Sequence, residues 1–400
     1  MKRLFVIFWG VAMSVSSAFA AESFVLENEF VRFEVDSGGK LVSLKNKSSG
    51  AEYAGNRDLW RIIYSKADSL ENEWLPSDAD VKVSKPSSDK ISLSYGGIFP
   101  VNIDCSLDGK QVLLKPSIKN SSKDLVLREF QFPLIKNFPS PEKYKAIWSY
   151  SGGGYASNAG KTLKRWVDDA KTAYMAEDYN AVERSKVYPG ELALNCIFAE
   201  NIGNKEALYM ASYDESFQKT LHLFRGRAVE GKKSREIDFG FVKYPYLKSG
   251  ETAEYPAYAL APVDSWRDGA KLYRKWADSW YKPGKPADSI LESNGWQRLI
   301  ARHQYGKQFF KYSDFPKILK DGLAADIDTL FLFGWFREGH DAGYPHYSPE
   351  TEQGGDEALK KAIAEFQKGG GKVIIYYNGQ LIDASTDFYK KAGHKISVKV

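Results

Sequence analysis

The segment from Thr329 to Asp383 constrains the fold of this chain more than any other. Two uninterrupted apolar runs, Thr329–Phe333 and Val373–Tyr377, flank a segment with helical spacing, Asp356–Lys368. Continuous apolar runs are typical of strands buried on both faces, and a helix between two of them is typical of a βαβ unit. The sequence therefore predicts neighbouring parallel strands with a crossover helix between them.

Polar and aromatic residues follow each of these predicted strands. Trp335, Asp341 and His346 come after the first, and Asn378 and Asp383 come after the second. A (β/α)8 barrel builds its active site from the loops that follow its strands. Aromatic rings cover the apolar faces of sugars, and charged side chains hold their hydroxyl groups by hydrogen bonds. We predict that these five residues bind a glycan substrate.

A purely structural role is the alternative for each of them. Trp335 also fits ordinary packing at the rim of a barrel. Asp341 and His346 also fit turn-forming hydrogen bonds within their loop, and Asn378 with the glycine that follows it is a common turn pair. A role as catalytic base is a lesser option for Asp341, because the sequence indicates no partner carboxylate.

The first twenty residues have the pattern of a signal peptide. Lys2 and Arg3 precede a largely apolar run, Leu4–Val15, and Ala18–Ala20 is a small-x-small cleavage site. We predict a periplasmic or secreted protein after cleavage near Ala20. The apolar run is too short to span a bilayer and no later segment approaches the required length, so no membrane span is predicted.

About 380 residues remain after cleavage, which favours two domains. Residues 21–262 contain short alternating segments bounded by turn residues, typical of a large antiparallel β-sandwich. Trp266–Trp280 has helical spacing and ends before the breaker Lys282–Pro286, so 263–290 is interpreted as a linker helix.

Residues 291–400 are interpreted as the N-terminal portion of a TIM barrel. Gln297–Ala301 is the predicted first strand and Phe315–Ala324 its helix. A complete barrel needs eight such units and about 250 residues. This segment holds three, so the barrel is expected to be truncated. Arg302 and His303 follow the first strand and are equally well explained as solvated loop residues.

The charge, the cysteines and the spacing of metal-ligand residues limit the kinds of partner and cofactor that this chain is expected to bind. The formal charge of +5, or +3 without Lys2 and Arg3, is spread along the chain, which argues against nucleic acid. Cys105 and Cys196 permit either a disulfide or two buried thiols. No spacing of ligand residues is typical of structural zinc, so neither a metal nor a cofactor is predicted. Bound calcium stays open.

Several segments are similar, in order and spacing, to a group of exported bacterial proteins that share a domain of unknown function and are regarded as glycoside hydrolases. These segments are Trp266–Trp280, Phe333–Trp335 with Gly339–Asp341, Tyr344–Tyr347 and Lys372–Asn378. That group resembles α-galactosidase-type enzymes and endo-α-N-acetylgalactosaminidases, which combine a galactose mutarotase-like β-sandwich with a (β/α)8 barrel.

The resemblance implies hydrolysis of α-linked glycosides with retention, by a nucleophile and an acid/base carboxylate about 5–5.5 Å apart. In similar enzymes the nucleophile follows the fourth barrel strand and the acid/base the sixth. The matching positions are therefore expected beyond residue 400. A non-catalytic glycan-binding protein is the alternative. A mutarotase carried by the sandwich is a poor fit, because the sandwich contains a single histidine, His222.

Overall fold

The computed structural model describes residues 22–66, 72–149, 155–157, 162–168, 181–227 and 236–397. The predicted signal peptide, residues 1–20, lies outside these ranges. The chain divides into two compact units, one ending at Lys282 and the other beginning at Pro283.

The first unit consists mostly of β-strands. In chain order its described elements are β1 (Ser23–Glu27), β2 (Val31–Asp36), β3 (Lys40–Asn46), β4 (Arg57–Asp58), β5 (Arg61–Lys66), β6 (Asn72–Trp74), β7 (Val81–Ser87), β8 (Lys90–Tyr95), β9 (Val101–Asp108), β10 (Gln111–Lys119), β11 (Leu125–Ile135), β12 (Tyr144–Ser149), β13 (Tyr155–Ser157), α1 (Leu163–Asp168), β14 (Ala181–Tyr188), β15 (Cys196–Asn201), β16 (Ala207–Ser212), β17 (Thr220–Arg227), β18 (Glu236–Lys243), β19 (Thr252–Glu254), β20 (Tyr258–Val263) and α2 (Trp266–Trp280).

Two large antiparallel sheets share one apolar core in this unit. The 10-stranded sheet has the order β13-β12-β15-β16-β20-β10-β9-β8-β7, with β19 beside β10, and the 6-stranded sheet has the order β14-β17-β18-β11-β5-β6. Phe132 and Phe241 of the smaller sheet pack on Tyr258 of the larger, with ring centroids 5.3 and 5.8 Å apart. This sheet-rich layering agrees with the predicted sandwich.

The first alternating segment of the sequence, Phe24–Val35, forms two strands. β1 and β2 are an antiparallel hairpin that joins the 4-stranded sheet β1-β2-β3-β4. The Asn28 carboxamide oxygen accepts hydrogen bonds from the amides of Phe30 and Val31, at 2.9 and 3.0 Å. Asn28 thereby closes a tight turn in a segment whose alternating pattern continues through it.

Helix α2, predicted as a linker, packs on the 10-stranded sheet. Tyr273 is buried in this contact, and the Trp276 ring stacks on Tyr213 with centroids 4.7 Å apart. Gly269 allows the close approach, because a Cβ there would lie 2.6 Å from the Phe198 ring. The helix therefore belongs to the first unit, and the boundary between the units lies in Lys282–Pro286, the helix-breaking segment that follows α2.

The second unit is a parallel α/β arrangement. In chain order its elements are α3 (Asp288–Leu291), β21 (Trp296–Ile300), α4 (Phe315–Leu323), β22 (Thr329–Phe333), α5 (Gly355–Lys368), β23 (Lys372–Ile375) and α6 (Asp387–Lys391). Strand β22 pairs in parallel with β21 on one side and with β23 on the other. The predicted βαβ unit is confirmed.

Helices cover one face of this sheet. Leu330 and Leu332 of β22 pack with Ile318 of α4 and Phe366 of α5 in one buried cluster. Because side chains alternate along a strand, the other face carries the residues between them. We call this the helix-free face and define it by Trp296, Arg298, Ile300, Phe331, Phe333 and Ile374. Trp296 is 61% and Ile374 is 39% exposed.

Within the part of the chain that the structure describes, none of the helices is both long and apolar enough to cross a bilayer.

The two cysteines are buried on opposite faces of the same sheet. Cys105 lies in the core between the sheets, and Cys196 lies in the cluster beneath α2. Both thiols are free, and burial raises the pKa of each. Of the two alternatives that the sequence left open, the structure has the buried thiols.

We predict that neither thiol reacts with a maleimide in the native protein, because burial and the raised pKa suppress the reactive thiolate. In denaturant without reductant, both should react, which intact mass shows as two added labels. A reduced sample is the control. Labelling that needs the reductant would contradict free thiols.

Candidate functional site

Three loops meet at the carboxyl edge of the parallel sheet. Loop 1 (301–311) follows β21, loop 2 (334–350) follows β22 and loop 3 (376–385) follows β23. Parallel strands end at the same edge, so the polar residues of all three loops collect there. The five residues predicted from the sequence lie in loops 2 and 3.

Backbone hydrogen bonds join loop 1 to loop 2. The Arg302 amide donates to the Gly334 carbonyl at 3.0 Å, and the His340 amide donates to the Arg302 carbonyl at 2.8 Å. Gly334 has a φ of +56°, and a Cβ there would lie 2.2 Å from the Arg302 carbonyl oxygen. Only glycine permits this crossing, which brings His340 beside loop 1.

Asp383 fastens loop 3 to loop 2. Its carboxylate accepts from the Gly343 amide at 2.7 Å and from the Ser385 amide and hydroxyl at 2.8 and 2.7 Å. The Asp383 amide in turn donates to the Tyr344 carbonyl at 3.0 Å. The bonds from Ser385 and Gly343 lower the pKa of Asp383. Its oxygens are therefore already used in positioning the loops.

A second set of contacts between the same loops joins Trp335 and Asn378 to Tyr347. Trp335 is 5% exposed, stacks on Tyr347 with centroids 5.9 Å apart, and donates from Nε1 to the Tyr376 carbonyl at 3.0 Å. The Asn378 amide donates to the Tyr347 hydroxyl at 2.6 Å, and that hydroxyl donates to the Asn378 carbonyl at 3.1 Å. The exposed ring beside Trp335 is that of Tyr377, which is 58% exposed.

The Asn378 side chain is engaged within loop 3. Its oxygen accepts from the amides of Gln380 and Leu381, both at 2.8 Å, and its nitrogen donates to the Tyr376 hydroxyl at 3.1 Å. This is the turn geometry that the structural alternative for Asn378 predicts.

Asp341 and His346 are the exposed members of the predicted set. Asp341 has a φ of +62°, in the left-handed region that Asp tolerates better than most residues. Its amide donates to the Tyr344 hydroxyl at 3.0 Å, and that hydroxyl donates to the Asp341 carboxylate at 3.1 Å. The His346 imidazole forms no hydrogen bond with the described residues and faces solvent. These two side chains are open to a ligand.

His340 is a member of the site that the sequence interpretation missed. Its ring lies perpendicular to Phe333 with centroids 5.2 Å apart, and Nε2 is 3.3 Å from the Asp341 carboxylate. Nδ1 is enclosed and bonds to no described residue. Burial lowers the pKa of His340; Asp341 opposes this, while Arg298 and His303 add to it. The imidazole is therefore neutral near pH 7 and able to donate or accept.

On the helix-free face, the Phe333 ring contacts Arg298 of β21 and Tyr376 of loop 3. The Tyr376 ring stacks on it at 4.4 Å, and the Arg298 guanidinium lies over it, 4.5 Å from its centroid. Side chains alternate along a strand, so Arg298 and Phe333 lie on the face opposite the residues that contact the helices. The sequence predicts the strands but does not show which of their two faces the helices cover.

An ion pair with a buried carboxylate holds loop 1. Arg302 pairs with Glu350, which is 4% exposed, and the Glu350 amide donates to the Tyr312 hydroxyl at 2.9 Å. This pair explains Arg302 as a structural residue. Among the described residues, no group of three or more His, Cys, Asp or Glu side chains is arranged to hold a metal ion.

A cavity of about 510 Å³ lies between α5 and the aromatic rings of Trp335, Tyr347 and Tyr377. It is lined by Trp335, Tyr347, Pro349, Asp356, Leu359, Lys360, Ile363, Ala364, Gln367, Ile375 and Tyr377. Trp335 thus contributes its surface toward the helices. Asp341, His340 and Tyr376 form the polar group at the sheet edge.

The fold of this chain is similar to the folds of solved α-galactosidases and of an α-N-acetylgalactosaminidase. The α-N-acetylgalactosaminidase NagBb from Bifidobacterium bifidum, solved with GalNAc, superposes with a TM-score of 0.59 at 12% identity, over 92% of this chain and 60% of that one. An α-galactosidase from Lactobacillus brevis superposes at 0.52 and 9% identity, over 93% and 57%. The GH36 α-galactosidase AgaA from Geobacillus stearothermophilus superposes at 0.51 and 11% identity, over 93% and 58%.

At these identities the likeness shows the fold alone, and the chain spans less than two thirds of the length of each solved structure. Residues 253–399 match the family described as a domain of unknown function, DUF6259. No curated protein matches the chain in sequence.

We predict that Asp383→Asn destabilises the second unit by about 1–3 kcal/mol at pH 7, because the new NH₂ group faces an amide donor. The folded pKa of Asp383 is lowered, so its stabilising effect is complete above the unfolded pKa of about 3.9 and is lost as the pH falls through the folded value. The difference between the variant and the parent should therefore shrink at low pH.

Urea unfolding at several pH values measures this difference. Asp387→Asn, in the exposed first turn of α6, is the matched control and should change stability little. An equal loss at both positions, or one independent of pH, would contradict the role assigned to Asp383.

Proposed function

We propose that this protein is an exported glycoside hydrolase acting on α-linked glycosides by a retaining mechanism with two carboxylates. The observation that carries the proposal is the sheet edge itself: three loops from parallel strands interlock there and present Asp341, His340 and His346. The solved neighbours support the substrate class, since NagBb was solved with GalNAc and AgaA variants with raffinose and stachyose.

We propose further that the second unit is the first part of a TIM barrel. The helix-free face supports this, because Trp296, Phe331 and Ile374 are apolar and none of the described helices of that unit covers them. In a closed barrel this face becomes the packed interior. The first unit would then be the galactose mutarotase-like sandwich.

The catalytic carboxylates are proposed to come from chain beyond residue 400. A retaining pair needs two carboxyl groups about 5–5.5 Å apart and free to act on the sugar. At the described edge, Glu350 is bound to Arg302, and Asp383 is bound to backbone amides. Asp341 is the exposed acid there and is proposed to hold substrate hydroxyl groups.

Glycan binding without cleavage is the second candidate. It is favoured by the engagement of Asp383 and Glu350, which leaves the described edge with groups suited to holding a sugar. The intact mass of the protein from its source separates the two candidates. A mass above that of residues 21–400, with release of sugar from α-galactosides, supports the hydrolase. A mass equal to residues 21–400, with binding and no release, supports the second candidate.

We predict that Asp341→Asn weakens binding of an α-linked galacto-oligosaccharide about tenfold, because a charge-assisted hydrogen bond becomes a neutral one. Asparagine tolerates the left-handed backbone, so the melting temperature should change little. Isothermal titration calorimetry measures the affinity.

His346→Gln should weaken binding by a smaller factor. Asp321→Asn, on the exposed surface of α4, is the control. Unchanged affinity in both site variants would remove Asp341 and His346 from the site.

A further inference from the structure

A cleft of about 740 Å³ lies in the first unit, where one end of the 6-stranded sheet meets β19. It is lined by the loop before β17, by residues 243–247 at the end of β18, and by residues 253–255. Its volume is within the range of about 300–1,000 Å³ that is typical of sites for small molecules. We call it the tyrosine cleft, because Tyr244, Tyr246 and Tyr255 supply its aromatic rings.

Tyr246 presents its ring to solvent from a strained backbone. Its φ is +50°, in the left-handed region that a bulky residue rarely adopts, and the residue is 54% exposed. The Arg128 guanidinium lies over the ring, 6.0 Å from the centroid, and its Nε donates to the Ser65 hydroxyl at 2.6 Å. Backbone strain of this kind collects at ligand sites, where it pre-organises a binding group. Here it holds an aromatic ring open to a ligand.

A buried ion pair fixes another part of the rim. Lys243 is 2% and Asp214 is 3% exposed, and the Lys243 ammonium donates to the Asp214 carboxylate at 2.7 Å. The same ammonium donates to the Gln218 carbonyl at 3.4 Å, so the loop before β17 is held against β18. Lys219 follows in that loop, and its ammonium lies over the Tyr244 ring, 5.2 Å from the centroid.

The polar side chains of the cleft offer both donors and acceptors. Lys219 can donate, Glu254 can accept, and the Gln218 carboxamide can do both. Neither Lys219 nor Glu254 forms an ion pair within the part of the chain that the structure describes. Since Asp214 neutralises Lys243, the side chains that line the cleft leave one open cation and one open carboxylate.

These groups suit a neutral sugar better than an ion. A hydroxyl group both donates and accepts, so one sugar ring can use Lys219 and Glu254 together. An anion would be repelled by the Glu254 carboxylate, and a cation would be repelled by the Lys219 ammonium. The apolar C–H face of a sugar would pack on the exposed Tyr246 ring.

We propose that the tyrosine cleft is a second glycan-binding site, which holds a neutral sugar by stacking on Tyr246 and by hydrogen bonds to Lys219 and Glu254. The inference goes beyond the proposed function, since no residue of the carboxyl edge of the parallel sheet contributes to the cleft. No bond of the glycan is cleaved there. Two glycan sites on one chain raise the effective concentration of a polysaccharide that engages both.

Calorimetry on the protein as isolated from its source tests the inference. The probe is an α-linked galactotriose with sulfur in place of the bridging oxygens, which is not hydrolysed during the titration. The parent protein should bind it at two sites per chain. Tyr246→Asn should weaken one of the two sites at least about tenfold, because asparagine tolerates the left-handed backbone and only the ring is lost.

Three further variants define the site. Tyr246→Phe keeps the ring and should keep both sites. Glu254→Gln removes an exposed charge without touching the strained backbone, and it should weaken the same site about fivefold. Tyr281→Asn is the matched control, since Tyr281 is 55% exposed, belongs to the first unit and does not line the cleft. That variant should bind at both sites as the parent does.

A single site per chain that is weakened in Asp341→Asn and unchanged in Tyr246→Asn would overturn the inference and leave the proposed function intact. Two sites that both survive in Tyr246→Asn would also overturn it. A single site that is lost in Tyr246→Asn and unchanged in Asp341→Asn would support the inference and contradict the proposed role of Asp341. Failure of the probe to bind would remove the inference and the proposed function together. Equal melting temperatures of the parent and Tyr246→Asn would show that a lost site reflects the ring and not the fold.

Discussion

Parallel pairing of β22 with both of its neighbours is the constraint on which the second unit depends. It buries Leu330 and Leu332 against α4 and α5 on one face, and it brings three loops to one edge. The loops then hold one another through the backbone crossing at Gly334 and the carboxylate of Asp383. Together with the contacts of Tyr347 with Trp335 and Asn378, these two ties position the loops of the candidate site.

Much of this architecture could be predicted from the sequence because it follows from periodicity. The apolar run of β22 was predicted at its observed bounds, and β21, α4, α5 and β23 within one or two residues. Both neighbours of β22 are parallel, as the intervening helices require. Periodicity fails where a side chain overrides it, as at Asn28, whose hydrogen bonds turn a continuous alternating segment into a hairpin.

The location of the candidate residues at the sheet edge could be predicted from the sequence, but their hydrogen bonds could not. Asn378 and Asp383 lie where strand-end polar residues were expected, yet their side chains serve the loops, and Trp335 packs beneath Tyr347. A sequence shows which donors and acceptors a loop contains, but not which of them form hydrogen bonds within the folded loop. The positions of Arg298 and His340 were missed for a related reason, since both depend on contacts with the ring of Phe333.

Hydrogen–deuterium exchange of the full protein from its source, with and without a bound α-linked oligosaccharide, tests the central claim most directly. If the carboxyl edge of the parallel sheet is the glycan site, the ligand should slow exchange in loops 2 and 3, around His340–Tyr347 and Asn378–Ser385, and leave the 10-stranded sheet unchanged. Protection confined to the first unit, with loops 2 and 3 exchanging as before, would place the glycan elsewhere and contradict the account.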